Sequence, residues 1–402
     1  MDVTISELIG PATGDRDVEV VERKGRGHPD TICDGMAERL STDLCRFYAQ
    51  EFGHPLHHNV DKVLLRAGLG RPEPGGGELE EPVDVYLSGR ATHEFRGREV
   101  PVEQIVREAC RDWVDENLHA ADAREHFRFH NLLRPGSPDL VQLFDRQFRE
   151  GKRLANDTSL GTGYAPPSVL ERVVLDVERR LSSDHVTGRY PALGEDVKVT
   201  GVRRGDSIEL TVACAVVGRH TPTLERYEKT KRRAAELARE AAREHTGGAL
   251  AVKVNTADRV EEGEVYLTVL GTSADGGDDG QTGRGNRVGG LITPYRPMVM
   301  EASAGKNPVS HPGKLYPVAA NRIARRVVGC CPGVEGAECY LQSRIGQPLE
   351  EPQLLEVGLG TEAGSRAEDY RSRVEEVAGE ELGRLEDLWR EALEGEIGVA
   401  LF

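Results

Sequence analysis

Ile208–Val217, IELTVACAVV, decides how the rest of the chain is read. Ile208, Leu210, Val212, Cys214 and Val216 alternate with Glu209, Thr211 and Ala213. Period two puts the apolar set on one face of a β-strand. Thr221 and Pro222 then predict a long helix to about His245, because proline is accepted in a first helical turn. Working outward, a second strand is expected at Val265–Leu270. A strand also begins at Val83 (VDVYLSG), and helices run from Val102 (VEQIVREACRDWVDENL) and through Val169, Val173 and Val177. Met36, Leu40, Leu44 and Phe47 mark an amphipathic helix whose Glu38, Arg39 and Arg46 should face water. Pro317 is expected to start another helix, with Ile323 and Val327 inward, and a charged helix spans Arg366–Leu393. Groups of strands followed by helices, about three times over, predict an α+β protein rather than a doubly wound sheet. RPEPGGG, Arg71–Gly77, reads as an exposed flexible loop, with a mobile gate as its functional alternative.

The 402 residues are enough for two or three domains. With 52 basic and 68 acidic residues, the formal charge is −16, which argues against nucleic-acid or membrane partners. No apolar run reaches membrane-spanning length, and MDVTISELIGPATGD does not read as a signal peptide. The seven cysteines have no repeated metal spacing and are expected to be buried as small apolar side chains. A reducing cytoplasm is the location expected.

Three stretches carry chemistry: GRGHPDTICDG (Gly25–Gly35), GTSADGGDDGQTGRGNRVGG (Gly271–Gly290) and EASAGKNPVSHPGKLY (Glu301–Tyr316). Each mixes glycines, cations or carboxylates in a way that suits a polyphosphate carrying Mg²⁺. AGKN around Lys306 lacks the rest of a P-loop. His28 is either a hydrogen-bond donor to phosphate or a cap on the following helix; Asp30 is either a Mg²⁺ ligand or an N-cap. Asp278 and Asp279 could bind an ammonium group or a metal, or form a solvated turn. A calcium loop beginning at Asp275 fails, since Gly277 and Asn286 stand where acids are needed. Arg284 and Arg287 could clamp polyphosphate; an RNA-binding segment would need interleaved aromatics. Lys306 and Lys314 each lie beside a glycine. His54, His57 and His58 have only Asp61 as an acid at ligand spacing, so they read as surface or structural residues.

GHPDTICDG, GDDGQTGRGNR and AGKNPVSHPGKLY, in that order, resemble the signature segments of the S-adenosylmethionine synthetases, in their archaeal-type branch. The resemblance implies synthesis of S-adenosylmethionine from ATP and L-methionine. Sulfur attacks the ribose C5′, tripolyphosphate leaves, and it is then hydrolysed to phosphate and pyrophosphate. It further implies three similar α+β subdomains about a pseudo-threefold axis, with mixed or antiparallel sheets covered by helices. The division expected is residues 1–150, 151–260 and 261–402, in a homodimer with active sites between subunits. Two Mg²⁺ ions are expected, and K⁺ is a further candidate. His28, Lys198, Arg284, Lys306 and Lys314 are the implied catalytic residues. Asp196 and Arg287 join them in binding ATP, Asp157 and Asp278 take methionine, and Asp30 and Asp279 hold metal. The chain departs from the bacterial pattern at Asn307, which follows Lys306 where an acid is usual, and at Gly285, where a base is usual. Two other readings compete: another Mg²⁺-dependent phosphotransferase or triphosphatase, and an acidic calcium-binding protein.

Overall fold

The computed structural model describes residues 2–10, 12–137, 140–142, 144, 146–147 and 151–402. It contains three main sheets, each with its own apolar core. The first runs Gly280–Gln281, His58–Arg66, Val83–Ala91, Phe127–Pro135, and packs on helices Pro29–Phe52 and Val102–Asn117. The second runs Val18–Lys24, Leu193–Arg204, Ser207–Val217, Leu250–Val254, under helices Val169–Leu181 and Leu224–Arg243. The third runs Leu160–Ala165, Val334–Gln342, Leu354–Thr361, Thr4–Glu7, under helices Pro312–Cys330 and Arg371–Gly383. Taken in these orders, every sheet has two antiparallel pairings followed by one parallel pairing. Strands of one sheet come from distant parts of the chain, and residue 150, at the first expected boundary, lies outside the described residues.

Strand Ser207–Val217 alternates as its sequence requires: Ile208, Leu210 and Val212 are at most 2% exposed. Burying each contributes about 1.5–3 kcal/mol. The helix expected from Thr221 begins at Leu224, where the Thr223 hydroxyl accepts the Arg226 N–H and fixes the start.

Four expectations need correction. The strand at Val265–Leu270 shrinks to Leu267–Thr268, because the Asp275 carboxylate takes the N–H groups of Val269 and Leu270 in place of a neighbouring strand. Pro317 starts no helix; it lies inside Pro312–Cys330. Its missing N–H would have bonded the Gly313 carbonyl, which instead accepts the Ser303 hydroxyl at 3.1 Å. The charged C-terminal helix is divided by a 3₁₀ turn at Arg384–Glu386. Arg71–Gly77 is not a loop but part of a hairpin, Leu69–Glu73 with Gly76–Glu81. Its tip is held where the Gly75 N–H meets the carbonyls of Gly218 and Thr221, both at 3.0 Å. The cysteines are free, and all but the half-buried Cys330 are buried.

Candidate active site

Helix Pro29–Phe52 organises the site. His28 is its N-cap and Pro29 occupies the first turn. The His28 Nδ1 accepts the Asp30 N–H at 3.2 Å. Burial, then the charge of Lys24, lowers the His28 pKa to about 4. A neutral ring whose Nδ1 is an acceptor carries its proton on Nε2, so His28 can still donate one hydrogen bond.

Asp30, Asp34 and Glu38 are spaced by four and share one helix face. Asp30 bonds the Lys24 ammonium at 2.8 Å and the Gln281 N–H at 3.0 Å. Asp34 accepts the Gly283 N–H at 2.9 Å, while its buried Oδ2 has no hydrogen-bond partner among the described residues. Burial pushes the Asp34 carboxyl up to about 7, against the pull of that N–H and of Arg287. Glu38, expected to face water, instead bonds the Lys314 ammonium and accepts the Gly305 N–H at 3.0 Å. Eight residues of helix separate Asp30 from Glu38, about 12 Å. Both glycine-rich stretches therefore dock along one helix. A side chain at Gly285 would press on the site, because a Cβ there would lie 2.7 Å from Asp34 Oδ2 and oblige that carboxylate to shift.

The first cluster surrounds His28. Asn286 continues the strand Val18–Lys24 by bonding both the N–H and the carbonyl of Lys24. Lys24 Nζ then reaches Asp30 and the Arg284 carbonyl, 2.8 Å each. Lys198 is the cross-strand neighbour of Lys24 and pairs with Glu22 at 3.1 Å. Asp278 is exposed at its surface, yet partial desolvation of its carboxylate, and then the charges of Asp30 and Asp279, raise its pKa. Asp279 accepts the Ala67 N–H at 2.9 Å. Arg284 is exposed, and Arg287 donates to the Gly283 carbonyl at 2.7 Å. Asp196 lies deeper. Its carboxylate takes the Ser273 N–H and hydroxyl and the Tyr266 hydroxyl, and burial pushes its pKa up to about 6.

The second cluster surrounds Lys306, 2% exposed, whose Nζ lies 2.7 Å from Asp61 and 3.3 Å from Glu301. Burial raises the Asp61 pKa, yet the ammonium groups of Lys306 and Lys62 together outweigh it and hold the group down at about 2. His311 caps the helix Pro312–Cys330, and its Nδ1 accepts the Gly313 N–H at 3.1 Å. Ring and carboxylate atoms of His311, Glu301 and Asp157 lie within 4.8 Å of one another. Asp157 accepts the Thr158 N–H and the Ser159 hydroxyl.

The expected residues thus fall into these two clusters, with Asp196 buried beside the first. Sequence reasoning missed Lys24, Asp34 and Glu301 as site residues, assigned Glu38 to water, and treated Asp61 and His311 only in passing. The four-residue spacing from Asp30 was the available signal for Asp34 and Glu38. His57 and His58 are buried, and the His58 ring meets the Ser41 hydroxyl and the Leu56 carbonyl, so this group is structural. Asp275 Oδ2 accepts the N–H groups of Val269 and Leu270, which gives this carboxylate a structural task in the turn.

The donor set suits Mg²⁺. Asp30 and Asp279 offer carboxylate oxygens, the hard donors that Mg²⁺ prefers, and the charges of both add to desolvation in raising the pKa of the neighbouring Asp278, a repulsion that a divalent cation would relieve.

A profile of the family described as S-adenosylmethionine synthetase (AdoMet synthetase) matches residues 1–396. A probable S-adenosylmethionine synthase of Aquifex aeolicus is 46% identical over 387 residues, covering 96% of each chain. The S-adenosylmethionine synthase of Methanocaldococcus jannaschii is 44% identical over 393 residues, 95% of this chain and 96% of that one. The solved structure of an unusual S-adenosylmethionine synthetase from Campylobacter jejuni superposes with a TM-score of 0.64 at 13% identity, covering 94% and 93% of the two chains. This chain belongs to the S-adenosylmethionine synthetase family and is a methionine adenosyltransferase.

Proposed function

We propose that the chain makes S-adenosylmethionine by direct displacement, with His28 donating from Nε2 to the oxygen that leaves C5′. The observation that carries this reading is the capped, neutral imidazole of His28 beside Lys24 and Lys198. Methionine sulfur is nucleophilic without losing a proton, so no general base is needed. The demand falls on aligning sulfur with carbon and stabilising a polyanion of charge about −4. Lys24, Lys198, Arg284, Arg287, Lys306 and Lys314 supply the positive charge. Lys306 and Lys314 are buried and paired with carboxylates, which holds both ammonium groups in place before ATP arrives. Asp30 and Asp279 would hold Mg²⁺, which when bound neutralises phosphate charge. Asp157 and Asp278 take the methionine ammonium, and Asp196 the ribose. K⁺ is a further candidate ligand.

The working form is a cytoplasmic homodimer with sites between subunits. Leu64 and Leu132, 49% and 52% exposed on the first sheet, support burial of that face against a second copy. The shared pairing pattern of the three sheets supports three similar, interleaved units about a pseudo-threefold axis. Among the described residues, no helix is long and apolar enough to cross a membrane.

The test is a rapid-quench single turnover with ATP, methionine and Mg²⁺. S-adenosylmethionine and tripolyphosphate should appear together, followed by equal phosphate and pyrophosphate. Formation of ADP, or ATP loss that ignores methionine, would contradict the mechanism.

A further inference from the structure

His28–Pro29 and His311–Pro312 are the same local structure used twice. Each histidine is an N-cap with extended backbone, each is followed by proline in the first turn, and each Nδ1 accepts the N–H two residues on, at 3.2 and 3.1 Å. His311 is 4% exposed, and burial and then the charge of Lys306 lower its pKa well below the usual value. Its ring is therefore neutral at pH 7, with the proton on Nε2.

That proton decides between two roles. The grouping of His311 with Glu301 and Asp157 resembles a metal site. A metal would need the Nε2 lone pair and so a proton on Nδ1, where the Gly313 N–H already points. His311 is a donor in this position, not a ligand. Three lysines, Lys306, Lys314 and Lys62, bear on the ring, against the carboxylates of Asp61, Glu301 and Asp157. Lys306 is adjacent, and the Glu301 carboxylate already lies against Lys306 and over Gly313, where a Cβ would come within 2.9 Å of it.

We propose that His311 is a second imidazole donor, giving its Nε2–H to a phosphate oxygen of the polyphosphate in the Lys306 cluster, at the place where the Glu301 carboxylate lies against Lys306. The inference rests on the reading of Lys306 as a polyphosphate residue, given above.

The experiment compares His311→Asn with wild type and with Lys306→Met, using inorganic tripolyphosphate as the probe in calorimetry with Mg²⁺. Asparagine is a good N-cap, so His311→Asn keeps the bond to Gly313 but removes the Nε2 donor. The expected result is an unchanged melting temperature with tripolyphosphate binding weakened at least tenfold. Binding and melting temperature both unchanged would make His311 a cap alone and overturn the inference. Loss of a bound Mn²⁺ in His311→Asn, counted by electron paramagnetic resonance without polyphosphate, would make it a metal ligand and overturn it equally. If Lys306→Met leaves tripolyphosphate binding intact, the underlying assignment of the cluster fails instead. If wild-type binding falls with Lys306→Met but not with His311→Asn, only the present inference fails.

Discussion

The Lys314 ammonium lies 2.7 Å from both carboxylate oxygens of Glu38, and the lysine side chain is fully buried. This pair joins the helix that begins at His28 to the one that begins at His311. Removing Glu38 leaves the Lys314 ammonium buried away from water without this partner. Glu38→Ala should lower stability by about 3–5 kcal/mol. The double variant Glu38→Gln/Lys314→Met should recover most of that loss, because neither residue is then charged. Chemical denaturation of the three proteins checks the ordering; equal loss in the single and double variants would contradict it.

His28→Ala should reduce kcat by about 10²–10³ while leaving the KM for ATP within a fewfold. The hydrogen bond from Nε2 strengthens only as charge grows on the departing oxygen, so its loss belongs to the transition state. Steady-state kinetics at saturating methionine gives both constants. A large rise in KM at constant kcat would move His28 to ground-state binding.

Ser303→Ala should cost about 1–3 kcal/mol, since it strands the Gly313 carbonyl opposite Pro317. Pro317→Ala in the same protein restores an N–H to the helix and should regain part of the loss. Thermal melts of the single and double variants provide the check, and additive losses would show that the Ser303 hydroxyl is not substituting for the absent donor.

His57 is buried with both ring nitrogens lacking a hydrogen-bond partner among the described residues, and burial alone lowers its pKa from 6.5 to about 4. Between these values the unfolded chain binds a proton that the folded protein refuses. Stability is therefore unaffected above about pH 6.5 and falls as pH drops toward 4. His57→Leu should flatten that part of the curve of melting temperature against pH and raise stability near pH 5. A parallel curve for the variant would show that other groups set the acid limit.

Much of this was open to reading in the chain. Alternation at Ile208–Val216 and the periodicity at Met36, Leu40 and Leu44 survive folding because the buried faces they specify find no competing partner. Two of the errors share one cause: a side chain from elsewhere satisfied a backbone group that local reasoning assigned to a ladder. Asp275 displaced a strand at Val269 and Leu270, and Ser303 let Pro317 sit inside a helix. In the site, motif residues such as His28, Asp30 and Lys306 stood out. Lys24 did not, because a lysine ending a strand has no signature until Asn286 and Asp30 fix its direction. Glu38 was assigned to water because its partner is 276 residues away.

The spacing of Asp30, Asp34 and Glu38 also bears on the order in which a nascent chain matures. The core strands His58–Arg66, Val83–Ala91 and Phe127–Pro135, with helices Pro29–Phe52 and Val102–Asn117, all lie within the first third of translation. This portion can condense early, since its contacts are comparatively local. The groups that engage its acidic stripe, Gln281, Gly283, Gly305 and Lys314, leave the ribosome far later. For most of synthesis the stripe faces water with only Lys24 at hand. An interruption before residue 281 would leave all three carboxylates of the stripe without the partners that the later stretches bring to them.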